Sequence, residues 1–103
     1  MKLIRELEEL IEEEINDIKK YAKMAAEVKD EYPMLAHTLY TISTQEASHQ
    51  ASLHSEVVSI IEDYRKKNGD PPAAMMAVYE YVHKKHIEKM AEARRYQEEY
   101  QNR

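Results

Sequence analysis

The residues of this sequence best placed to do chemistry are Glu46 and His49, three apart in the stretch Gln45 to Gln50, QEASHQ. That spacing puts both on one face of an α-helix, one above the other. Their neighbours say which face. Leu35, Leu39, Ile42, Glu46, His49, Leu53, Glu56 and Ile60 follow the alternating three-and-four spacing of a helix buried along one stripe, so Glu46 and His49 are expected to point inward. A carboxylate and an imidazole at successive core positions are costly unless a group of opposite charge meets them. A divalent metal ion would meet both.

A third such residue lies upstream. The stripe Ile4, Leu7, Ile11, Glu14, Ile18, Tyr21, Ala25 and Val28, widened by Ile15 and Ala22, holds one charged member, Glu14. Glu12 and Glu13 fall off it and read as solvated. The spacing predicts a first helix over about 3–29, stopped at Asp30-Glu31-Tyr32-Pro33, because proline disfavours helical geometry in the residue before it and suits the first position of the next helix. A second helix follows over about 33–67 and ends at Asn68-Gly69. Asp70-Pro71 restarts the chain as N-cap and first helical residue, giving a third helix over about 71–100 with Met75, Tyr79, Val82, His86 or Ile87, Met90 and Ala93 inside.

Short connections make neighbouring helices antiparallel, so heights are matched by counting from each turn. From Asp30, Glu14 lies 16 residues back, and Glu46 and His49 lie 16 and 19 forward, within about one helical turn at roughly 1.5 Å per residue. No Lys or Arg occupies an inner position at this level to pair with them. Carboxylate plus imidazole suits Fe, Mn or another divalent ion. The alternative is a purely structural polar cluster.

The remaining composition bounds the answer. The chain has 103 residues, 43% of them hydrophobic, with one Gly and three Pro, which suits a single all-α domain with one core. A net charge of −5 arises from mixed signs rather than blocks, so neither nucleic acid nor an anionic membrane is an expected partner. No apolar run approaches the roughly 20 residues of a membrane span. The N-terminal MKLIRELEEL lacks the apolar centre of a secretory signal, and a cytoplasmic location is expected. Zero Cys excludes thiolate sites and disulfides.

Glu14 followed seven residues later by Tyr21, with Glu46-Ala-Ser-His49 on the next helix, resembles the first half of a ferritin-like di-iron protein of the rubrerythrin or bacterioferritin kind. In that superfamily a four-helix bundle binds two metals through a Glu from each of two helices and a Glu-x-x-His from each of the others. The resemblance implies Glu14 as a terminal or bridging carboxylate, Glu46 as a bridging carboxylate, His49 as a terminal ligand and Tyr21 as a hydrogen-bond donor behind them. Tyr21 also reads as an ordinary core aromatic. Only half a site is encoded, since a tight turn and one further helix replace the long crossover and the second Glu-x-x-His. A homodimer of helices 1 and 2 with their copies would supply the other half, as in the encapsulated ferritins that this half-site arrangement resembles.

The third helix carries its own Glu80-Tyr-Val-His83. Counted from Asn68-Gly69 it comes level with His54 and Glu56, about two turns from the main site, and Glu80 and His83 read as a surface or interfacial polar pair with Glu56; the alternative is an accessory metal site of Glu56, Glu80 and His83. His37, His54 and His86 show no comparable constellation. The expected function is a di-iron ferroxidase or a peroxide reductase with Fe²⁺ and O₂ or H₂O₂ as substrates. The alternative is a non-catalytic helical interaction or scaffold protein whose buried polar residues set dimer register.

Overall fold

A computed structural model describes residues 2–103. It contains three helices, α1 (Lys2–Val28), α2 (Pro33–Asn68) and α3 (Ala73–Asn102), and among the described residues there is no strand. The rod they form measures 56 × 19 × 18 Å, its length that of α2, since 36 residues at about 1.5 Å each span about 54 Å. α1 packs along both other helices, while α2 and α3 touch each other only through side chains at a few places.

The turns follow local chemistry. Pro33 opens α2, and the Tyr32 carbonyl receives the first helical hydrogen bond, from Ala36 N–H at 2.9 Å. Gly69 closes α2 with φ 79° and ψ −169°, a backbone region that glycine adopts without a Cβ clash, and its N–H donates to the Arg65 carbonyl at 3.0 Å. Arg65, Lys66 and Lys67 complement the negative end of the helix dipole. The start of α3 differs from the sequence expectation. Pro71 precedes Pro72, which holds extended geometry at φ −52° and ψ 139°, so the helix begins at Ala73 instead of 71 and Asp70 is not its cap. Asp70 instead lies 3.7 Å from the Arg65 guanidinium.

The core runs along α1. Ile4, Ile11, Ile15 and Ile18 pack with Val57 of α2 and with Met90 and Ala93 of α3, flanked by Leu7, Leu53, Ile60, Ile61 and Tyr79. Toward the α1–α2 turn the buried residues are mostly small, Ala22, Ala25, Ala26, Ala36 and Ser43, with Leu39 the one large exception among the described residues, which lets the helices approach closely. There Tyr40 and Tyr100 stack at 4.6 Å, Gln97 donates to the Ser43 hydroxyl at 3.2 Å, and Lys29 donates to the Tyr100 and Arg103 carbonyls at 2.6 and 2.8 Å, closing the C-terminus of α3. Of the alternatives His86 and Ile87, His86 is the inner one, while Ile87 is 56% exposed. No described helix is long and apolar enough to cross a membrane.

Burial on α1 divides the expected stripe in two. Ile4, Ile11, Ile15, Ile18, Ala22 and Ala25 are covered, whereas Leu7, Glu14, Tyr21 and Val28 lie half-buried along an edge, and Leu3, Leu10 and Met24 beyond them are exposed. α3 covers one side of α1 and leaves the other bare. Lys89 binds Glu12, and Lys19 and Glu92 meet at 2.7 Å, so residues 89–92 of α3 pass at the height of Glu14 but on its far side. Glu12 is thus an inter-helix partner and not the purely solvated residue expected.

Candidate metal centre

Glu14 projects from the middle of α1, and Glu46 and His49 from successive turns of α2. Each offers one ligand atom such that all three atoms lie within 4.8 Å of one another. His49 Nδ1 stands 3.6 Å from Glu14 Oε2 and 3.7 Å from Glu46 Oε1. Two metal–ligand bonds of about 2.1 Å span at most about 4.2 Å, a limit that both His49 distances meet. Glu14, Glu46 and His49, expected at one height from counting alone, are together. Tyr21 is half-buried on the same edge of α1, and its hydroxyl makes no hydrogen bond to the three among the described residues. Two helical turns, about 10.5 Å of axial rise, separate it from Glu14.

The expected inward orientation needs correction. The side chains of Glu14 and Glu46 are 25% and 19% exposed, and that of His49 is 61% exposed. The set lies in the open groove between α1 and α2, on the face that α3 leaves bare. Helices 1 and 2 alone cannot enclose it, because a two-helix layer has an inside only when a second layer covers it.

The electrostatics carry the clearest signal. Glu14 Oε2 is sealed from solvent with no hydrogen-bond donor from the protein, the one such side-chain atom among the described residues. Its carboxyl is pushed up to about 7, first by sharing a proton with Glu46, then by burial and by the Glu46 charge, with His49 pulling the other way. A position where a carboxylate keeps a proton near neutrality for want of a positive neighbour is one that a cation fits, and two carboxylates with an imidazole are a donor set for Fe, Mn or Zn.

Compared with family models, with curated proteins and with solved structures, the chain matches none. The site therefore stands on its own geometry.

The accessory set behaves differently. Glu56 and Glu80 are exposed and are not gathered with His83 into a ligating group among the described residues. His83 instead lies face to face with His54, ring centroids 4.7 Å apart and planes 10° from parallel, with Tyr79 stacked beyond at 6.0 Å. His54, His83 and the buried His86 line one cavity of about 250 Å³, but they are not gathered into a ligating group among the described residues. The height match of His83 with His54 was available from counting, and His83-x-x-His86 on one face of α3 was the remaining signal.

Proposed function

We propose that this chain is half of a ferritin-like di-metal protein, which binds iron between Glu14, Glu46 and His49 and their copies in a homodimer and oxidises it with O₂ or H₂O₂. The observation that carries the reading is the convergence of two carboxylates and an imidazole, one oxygen without a donor, on a face that a single chain leaves open. The face is built for a helical partner. Leu3, Leu7, Leu10, Glu14, Asp17, Tyr21, Met24 and Val28 recur at three-and-four spacing along the bare edge of α1, the pattern of a helix packed against another helix, and Leu3, Leu10 and Met24 are 45–49% exposed. An isologous dimer across this edge and α2 makes four helices and presents the ligand set twice.

In that assembly Glu46 and Glu14 supply the carboxylates and His49 an imidazole at the mouth of the groove. A carboxylate-held pair of iron ions supplies redox chemistry toward O₂ or peroxide when bound. Glu14 gives up its shared proton on binding a cation, and the isoleucines beneath it keep water from the inner side. Tyr21 packs on the same seam.

The shared proton between Glu14 and Glu46 also lets the cluster exist without metal, as the scaffold reading requires. Metal analysis of protein purified without a histidine tag separates the two readings. One bound metal ion or more per chain, with Fe²⁺ oxidation lost in Glu46→Ala, supports the di-metal protein. A metal-free dimer indifferent to added Fe²⁺ sinks it.

A further inference from the structure

Where α1 and α3 begin and α2 ends, the three helices line a cavity of about 420 Å³, a volume within the range of small-molecule sites. Its inner part is formed by the buried Ile4 and by Ile61 and Tyr79, which pack on the same core, and Met75, 39% exposed, stands at its mouth. Apart from Arg5, Glu8, Tyr64 and Tyr79, every lining residue is aliphatic, a thioether or proline. Water inside finds few partners, so an apolar guest gains by displacing it. The polar groups say what kind of guest. Glu8 is half-buried, and burial pushes its carboxyl up. The Tyr79 phenol is raised too, first by burial and then by the Glu8 charge, so the two groups stand close together. Neither has a hydrogen bond or an ion pair among the described residues. Arg5, exposed at the rim, offsets the Glu8 charge, and Asp70 at 3.7 Å offsets that of Arg65, the other cation felt at Tyr79.

We propose that this cavity binds a neutral lipophilic alcohol or phenol, its apolar body against Ile61, Met75 and Met76 and its hydroxyl between Glu8 and Tyr79. A carboxylate guest would face the Glu8 charge and an ammonium guest the Arg5 charge, each at a desolvation cost. A hydroxyl meets both inner groups, donating to the Glu8 carboxylate and accepting from the Tyr79 O–H. The paired methionines form a pliant wall that adapts to the shape of the guest. The site is separate from the metal centre, since Glu8 precedes Glu14 by six residues, about 9 Å of axial rise. It also opens on the α3 side of α1, away from the bare seam of Leu3 and Leu10.

The test is fluorescence titration of the untagged protein with the neutral probe N-phenyl-1-naphthylamine, followed by its displacement with three molecules that share one tail, decan-1-ol, decanoate and decylammonium. The expected result is one probe per chain, displaced by decan-1-ol at a concentration at least about tenfold lower than by either charged competitor. Octan-1-ol to decan-1-ol should tighten binding about fourfold per methylene. Val82→Trp and, separately, Ala74→Trp fill the cavity and should abolish probe binding, with circular dichroism checking that each remains helical. Glu8→Leu needs no extra room and reads the same site if a tryptophan variant does not fold: it should remove the discrimination against decanoate. Leu10→Glu, on the bare seam, should leave the probe bound. A folded wild type that binds no probe, a preference for decanoate or decylammonium, discrimination unchanged in Glu8→Leu, binding retained in a helical tryptophan variant, or binding lost in Leu10→Glu would overturn the site. None of these outcomes bears on the Glu14 and Glu46 centre, so the two assignments stand or fall separately.

Discussion

Glu14 is where sequence, electrostatics and function meet most closely. Its folded carboxyl is raised from 4.5 to about 7, so its protonated form is the one the fold favours. The stability this gives is fully present below pH 4.5, and it is lost as pH rises through about 7. Melting of the metal-free protein should therefore show a fall in Tm between about pH 5 and about pH 8 that is absent in Glu14→Gln, which mimics the protonated acid. Bound cation replaces the proton, so added Fe²⁺ or Mn²⁺ should restore Tm at pH 8, by on the order of 3 kcal/mol at 100–200 times the dissociation constant. An apo Tm that rises over this range would mean the two carboxylates are not sharing a proton. Ligand roles are residue-specific as well. Glu46→Ala should abolish metal binding measured by calorimetry, while Glu13→Ala, an exposed neighbour of Glu14, leaves it unchanged. These residues were legible because a charged side chain breaks an apolar stripe visibly. Their exposure was not, because periodicity shows which residues share a face and says nothing of whether the same chain covers it. Tyr21 shows the limit: seven-residue spacing puts it on the Glu14 edge but about 10.5 Å along the axis, too far to decide a contact.

At the scale of elements, the turns explain why α1 and α2 keep the register that brings Glu14 to Glu46. A tight corner of four residues, 29–32, before Pro33 fixes the heights, and the count from Asp30 could succeed because so short a connection leaves little axial slack. The second corner was read less well. One proline suffices to open a helix, but Pro71 is kept out of helical geometry by Pro72 and Pro72 is itself extended at ψ 139°, so α3 starts at Ala73. The inner face of α3 was ambiguous for a related reason: its apolar residues are spread around the helix, and only packing against α1 selects His86 over Ile87. Gly69 carries the backbone strain of this corner. At φ 79° and ψ −169° it occupies a region almost confined to glycine, although a Cβ there would meet no atom within 4 Å. Gly69→Ala should then cost about 1–3 kcal/mol from backbone geometry alone, seen as a lower urea midpoint with unchanged slope. A neutral substitution would mean that the turn relaxes freely and does not hold the register of α3.

For the proposed homodimer, the placement of the site along α1 argues for one arrangement of the whole molecule. Glu14 lies near the middle of the 27-residue helix, so a two-fold axis crossing α1 beside it lets the bare seams overlap over their full length, antiparallel. Leu3 of one copy then lies near Val28 of the other, and Leu10 near Tyr21. Helix dipoles in antiparallel neighbours also oppose each other favourably. A parallel pairing would instead set each Leu3 beside its own copy. Because the sequence contains no Cys, introduced thiols report on this without background. Leu3→Cys/Val28→Cys protein should cross-link into a covalent dimer under mild oxidation, while Leu3→Cys alone stays monomeric on a denaturing gel. An intrachain bond cannot confuse the result, since the two positions are 25 residues apart on one helix, about 37 Å, against the roughly 4.4–6.8 Å that a disulfide allows between Cα atoms. Charge on the seam should break the pairing without touching a ligand: Leu10→Glu buries a carboxylate against its own copy's neighbours, and size-exclusion chromatography should then show a monomer that no longer holds Fe²⁺. If Leu10→Glu remained dimeric with full metal content, the seam would not be the interface, and the half-site at Glu14, Glu46 and His49 would have to be completed by another surface.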